Sequence, residues 1–295
     1  MTAEERLVAY INVPLTSHTL EMGGLRLHAM VAGSGPTVLL LHGLNIGWGE
    51  WYAMLPTLVK TYRVVALDFP GSGDSSKIDF ISSDVPKLFV RAAETALETL
   101  APDGAIVVGH SLGAWVALKL AITHHPLVRG VVAISAPGLS PKLPARFWPL
   151  AIRPLAKLLA AKAVPPTTEN MKNFLGDVMV NRAMLIEECV AYVTEAIVRP
   201  PITHPFHLIH RMIRPFRVRE EFMFSAGEIA SVRRPMAIIH GAEDPLIPLR
   251  SVQPAFARFP NAHVAVLADT GHVPPIERPG EVIEELERLM TKIAS

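Results

Sequence analysis

The chain has 295 residues, 50% of them hydrophobic and 19% charged, with a formal net charge of +1. That apolar content excludes a disordered chain. The near-zero charge offers no concentrated excess of Lys and Arg for a nucleic-acid backbone. The single cysteine, Cys189, excludes an internal disulfide and a cysteine-rich metal site.

In chain order, the opening MTAEERLVAYINVPL carries two early acids, with neither a long apolar core nor a small-residue cleavage site, so no signal peptide is expected. Residues 25–31 and 37–41 read as strands, the second almost wholly apolar. Helical periodicity follows across 50–60, and 63–67 is a buried strand. A helix is expected over 86–100. The apolar stretch 105–122 approaches the ~18 residues of a membrane span. Gly109, His110, Ser111, Gly113 and Lys119 interrupt it, so it reads as a strand at 105–108, a tight turn and a helix over 112–124. Strands at 130–134, 236–239 and 264–267 follow, with helices near 251–259 and 281–293. Short apolar runs alternating with helical patterns predict a mostly parallel sheet covered by helices. A soluble, cytoplasmic protein without an integral membrane span is the expectation.

Between 138 and 234 the β-rich rhythm stops. This stretch holds 14 Lys and Arg against 8 Asp and Glu, a balance of +6, whereas the remainder carries −5. It is expected to be an inserted helical lid, leaving 1–137 and 235–295 as the core domain. Residues 147–164 mix Leu, Ile and Ala with Arg153, Lys157 and Lys162. They fit a lid helix packed over the core, and less well a helix lying on a membrane surface.

The chemistry concentrates at Gly109-His110-Ser111-Leu112-Gly113, a G-x-S-x-G turn between strand and helix that lifts a serine above the sheet edge. A serine hydroxyl is a weak nucleophile at neutral pH and needs a base. His272, in the loop after 264–267, is the candidate. Asp244, just after 236–239, is the carboxylate that would fix its tautomer; the neighbouring Glu243 is the lesser candidate. All three fall at the carboxyl ends of strands, where sites form in open parallel sheets, and their order is Ser, Asp, His. The N–H groups of Leu44, after His42-Gly43, and of Leu112 are the expected oxyanion donors.

These pieces resemble the α/β-hydrolase superfamily, in particular its lid-bearing esterase, haloperoxidase and carbon–carbon hydrolase branches. The matching segments are LLLHG at 39–43, DFPGSGDS at 68–75, GHSLG at 109–113, HGAEDPLIP at 240–248 and GHVPPIERP at 271–279. The resemblance covers 17–137 and 235–292 and implies the α/β-hydrolase fold: an eight-stranded, mostly parallel sheet flanked by helices, a helical lid after the sixth strand, and no cofactor. Branches that use an aspartate nucleophile are set apart by Ser111. Carbon–carbon hydrolases usually show a second glycine after the elbow, where this chain has Ala114. No carboxylate follows Ile134 to rival Asp244.

The remaining candidates are weighed against plainer roles. Asn45, His110, Trp148 and Phe174 are assigned to substrate binding. Asn45 serves turn formation equally well, and His110 also reads as packing beside the elbow. Phe147, Trp148, Met171, Phe174 and Met179 are candidates to line the substrate cavity, with lid packing the default for each. His42 and His240 are expected to hold backbone turns, and Asp269 to be a turn residue. His204, His207 and His210 recur every third residue but lack completing ligands, so no metal is expected. The implied activity is hydrolysis of a hydrophobic carboxylic ester through an acyl-enzyme. The alternatives are carbon–carbon hydrolysis of a ketone ring-cleavage product and a catalytically silent ligand-binding member of the fold.

Overall fold

The computed structural model describes residues 1–44, 46–142, 144–152, 154–155, 167–198 and 205–294. The strands, in chain order, are β1 (Thr16–Met22), β2 (Leu25–Ala32), β3 (Thr37–Leu41), β4 (Arg63–Leu67), β5 (Ala105–His110), β6 (Val128–Ile134), β7 (Ile213–Arg214), β8 (Arg217–Val218), β9 (Met236–Gly241) and β10 (Ala262–Leu267). Eight of them form one sheet in the order β1-β2-β4-β3-β5-β6-β9-β10, and β7 and β8 make a separate two-stranded hairpin. β1–β2 and β2–β4 pair antiparallel, whereas every neighbour from β4 to β10 is parallel. This is the α/β-hydrolase fold.

The central strands are apolar on both faces because both faces are covered. Leu39 and Leu41 join a core layer with Phe89, Trp115 and Val116. The alternate residues Val38 and Leu40 join the opposite layer with Trp51, Leu55 and Val282. β10 is an edge strand, and its Val264 and Val266 remain exposed.

Three features depart from the sequence reading. The helix expected over 50–60 is a 3-10 turn at Trp48–Trp51 followed by a short helix at Leu55–Leu58. Pro56 has no N–H to return to the preceding turn, so one continuous helix does not form. At the N-terminus a helix spans Ala3–Ile11, closed by a reciprocal Thr2–Glu5 capping box. β1 went unrecognised because only Leu20 and Met22 of its seven residues are buried.

Between β6 and β9 the described residues form a 3-10 helix at Ala145–Ala151, helices at Thr168–Gly176, Glu187–Val198, Pro205–Met212 and Ala226–Ser231, and the β7–β8 hairpin. Cys189, Val190 and Val193 of the helix at Glu187–Val198 pack into the same layer as Trp48 and Trp51. Of the segment 147–164, only the part within Ala145–Ala151 and a few residues after it are described; Arg153 and 156–164 lie outside the described residues. No helix among the described residues is long and apolar enough to cross a membrane.

Candidate active site

β5 delivers Ser111 to the sheet edge, and the helix Leu112–Ile122 begins immediately after it. Ser111 sits at φ +49° and ψ −114°, a conformation rarely adopted by residues with a side chain. The flanking glycines make this possible. A Cβ on Gly109 would lie 2.2 Å from the Gly113 carbonyl oxygen, and one on Gly113 would lie 1.9 Å from that of Leu41. Strand, turn and helix therefore approach as backbone on backbone.

The structure brings Ser111, His272 and Asp244 together. His272 Nε2 lies 3.1 Å from Ser111 Oγ, and His272 Nδ1 lies 2.8 Å from Asp244 Oδ2. The other carboxylate oxygen of Asp244 accepts the backbone N–H groups of Leu246 and Ile247, each at 2.8 Å. Burial alone would raise the Asp244 pKa. The adjacent His272 and these hydrogen bonds outweigh it and hold the carboxyl below its ordinary value. Glu243 is turned away: its carboxylate accepts the Thr270 N–H at 3.0 Å.

Leu44 and Leu112 both line the cavity above Ser111. Leu112 opens its helix, so its N–H is a first-turn donor that the helix itself does not satisfy. His42 and His240 hold turns as expected. His42 Nε2 accepts the Phe69 N–H at 3.0 Å while Nδ1 bonds the Gly43 carbonyl, and His240 Nε2 bonds the Ile247 carbonyl at 2.8 Å. Asp269 is an exposed residue at φ +50°.

The substrate-contact candidates fare unevenly. Phe174 lines the cavity. Trp148 does not; it is 40% exposed and packs edge-on against Phe216, whereas its neighbour Phe147 faces the cavity. The 3-10 turn points successive side chains in different directions, so one position decides which aromatic faces inward. Met171 and Met179 are buried in the core layer, and Leu175 and Val178 take the lining positions. His110 borders the cavity, but both its ring nitrogens are engaged, one by Glu50 and one by the His272 carbonyl. Asn45 and His204 lie outside the described residues. His210 Nδ1 bonds the Leu150 carbonyl at 3.0 Å. The one group of three possible metal ligands among the described residues, Glu4, His28 and Asp74, lies elsewhere, and both His28 nitrogens already bond Asp68 and Ser17.

Two buried carboxylates escaped the sequence reading. Glu277 accepts the N–H groups of Gly271, Val273, Val180 and Asn181, clamping the His272 loop to the segment before Arg182. Glu50 accepts the Gly43 N–H at 2.8 Å and bonds His110. The available signal was a lone acid between Gly49 and Trp51 in an otherwise uncharged run.

The cavity has a volume of about 230 Å³. Its walls are apolar side chains from both the sheet ends and the β6–β9 segment, and Lys142 is the one Lys, Arg, Asp or Glu among the described lining residues. Comparison with known proteins agrees with this architecture. The 2-hydroxymuconate semialdehyde hydrolase of Pseudomonas sp. (strain CF600) is 26% identical over 272 residues, covering 90% of each chain. The pimeloyl-[acyl-carrier protein] methyl ester esterase of Aeromonas hydrophila is 24% identical over 277 residues, covering 88% of this chain and 96% of the other. The crystal structure of naproxen esterase from Bacillus subtilis superposes with a TM-score of 0.79 at 17% identity, covering 98% of this chain and 95% of that one. A family model described as alpha/beta hydrolase family matches residues 38–285, most of the chain. The chain belongs to the alpha/beta hydrolase family.

Proposed function

We propose that this hydrolase is a serine esterase acting on a carboxylic ester with a hydrocarbon acyl group. The observation that carries this reading is the unbroken relay from Asp244 through His272 to Ser111, at 2.8 and 3.1 Å, on the floor of an apolar cavity. Ser111 Oγ attacks the ester carbonyl as His272 Nε2 takes its proton. Asp244 holds the Nδ1–H tautomer and stabilises the imidazolium. The oxyanion is received by the N–H groups of Leu44 and Leu112, each worth about 3 kcal/mol. His272 returns the proton to the departing alcohol, then activates the water that releases the acid. The described residues within 138–234 act as a lid that supplies most of the cavity roof.

The test is turnover of p-nitrophenyl esters from acetate to laurate. Serine-dependent hydrolysis with a clear chain-length optimum is expected, and Ser111→Ala should lower kcat by about 10³-fold or more. Full activity in Ser111→Ala overturns the reading.

Carbon–carbon hydrolysis is the second reading. It is favoured by the likeness to the semialdehyde hydrolase and by Lys142, a cation among the described lining residues that would meet an anionic substrate. Turnover of a vinylogous diketone without ester turnover would select it. A silent binding protein would leave Ser111 unlabelled by a reactive phosphonate.

A further inference from the structure

Behind the proposed triad, the structure buries a second carboxylate and a second imidazole. Glu50 is fully buried and His110 is 1% exposed. His110 Nδ1 lies 2.5 Å from Glu50 Oε1, and His110 Nε2 lies 2.7 Å from the backbone carbonyl of His272. A carbonyl oxygen only accepts, so Nε2 carries a proton. The remaining proton lies on the His110–Glu50 contact. The other oxygen of Glu50 is committed to the Gly43 N–H at 2.8 Å, one residue before the proposed oxyanion donor Leu44. Four points are therefore tied together: the oxyanion loop, the 3-10 turn carrying Glu50, the residue preceding the nucleophile, and the backbone of the base histidine.

We propose that Glu50 and His110 form a buried carboxylate–imidazolium pair that positions the oxyanion loop and His272 together. They are positioning residues, and their role rests on the esterase reading of Ser111 and His272. A carboxylate accepting two hydrogen bonds and an imidazolium donating two satisfy every polar atom of the pair, which a buried charge requires. Burial opposes charge on both groups, but their mutual attraction outweighs it, lowering Glu50 and raising His110 from their ordinary values. The other titratable groups around the pair are His42, Asp68, His240, Asp244, His272 and Cys189. His42 accepts through one nitrogen and is neutral, and burial lowers it further. Burial also pushes the Cys189 thiol up, so it adds no charge at neutral pH.

The test uses the second-order rate of Ser111 phosphonylation by a p-nitrophenyl phosphonate, which needs the nucleophile, base and oxyanion hole but no knowledge of the substrate. Glu50→Gln should react about 10- to 100-fold more slowly at pH 8, the scale of a small misplacement of reacting groups. Its alkaline limb should move to lower pH, because His110 loses the charge that holds its proton. Glu50→Asp should recover part of the rate. In the folded wild-type chain at pH 8, the ¹⁵N signals of His110, assigned through their loss in His110→Asn, should show both nitrogens protonated. A wild-type rate and pH profile in Glu50→Gln, or a neutral His110 at pH 8, overturns the proposal. If Glu50→Gln fails to fold, the wild-type spectrum decides alone. If wild-type Ser111 takes no phosphonate, the esterase reading fails, and the spectrum still reports on the pair.

Discussion

Asp244 keeps a negative charge at 3% exposure because each carboxylate oxygen meets donors: His272 on one, the Leu246 and Ile247 N–H groups on the other. Asparagine in its place would set an amide against one of these donors and favour the wrong imidazole tautomer. Asp244→Asn should lower kcat by about 10³- to 10⁴-fold with KM little changed. A group whose folded pKa is depressed contributes stability that is present above its unfolded pKa and lost as pH falls through the folded one. For Asp244 the unfolded value is about 3.9. Thermal melts should therefore show the wild-type advantage over Asp244→Asn intact near pH 6 and narrowing below pH 4. Gly113 makes a different demand. A methyl group there meets the Leu41 carbonyl from 1.9 Å, so the backbone has to move. Gly113→Ala should cost about 3 kcal/mol, read by urea denaturation.

At the scale of elements, two connections hold the site's parts in register. The helix Leu112–Ile122 is buried nearly all round, and its Trp115 Nε1–H donates to the Phe222 carbonyl at 2.9 Å, reaching 107 residues along the chain. Trp115→Phe keeps a ring but strands that buried carbonyl, and should lower unfolding free energy by about 1–3 kcal/mol. The second connection is Glu277, which gathers backbone donors on both sides of His272 and from Val180 and Asn181. The His272 N–H itself donates to the Val178 carbonyl at 2.7 Å. Glu277→Gln replaces one accepting oxygen by a donor facing donors. Loss of about 2–3 kcal/mol is expected, together with slower phosphonylation of Ser111. Such contacts were not legible beforehand. In GHVPPIERP, Glu277 looks like an ordinary solvent-facing acid, and only the folded loop turns it inward.

Across the whole molecule, the sheet ends carry the proposed reacting groups, and described residues between β6 and β9 supply most of the apolar roof. On the proposed esterase function, the size of the accepted acyl chain depends on roof residues rather than on the triad. Val218→Phe, on the hairpin strand β8, should shift the ester chain-length optimum toward shorter acids with little effect on acetate turnover. An unchanged optimum would show that the chain lies elsewhere.

The local signals were sufficient for much of this. β3 and β4 are short apolar runs that read as buried strands, and Gly109 reflects a contact with Gly113 within the same turn. Ser111, Asp244 and His272 each follow a strand, so their position above the sheet was legible from the strand pattern alone. What tertiary structure decided were choices between near neighbours and pairings between distant residues. It selected Asp244 over Glu243 as the partner of His272, and Phe147 over Trp148 as cavity lining. It also joined Glu50 to His110 across 60 residues. The physical reason is that apolar periodicity reports only which face of an element is buried. Where a buried polar group finds its partner depends on backbone and side chains that the chain brings together from far along its length.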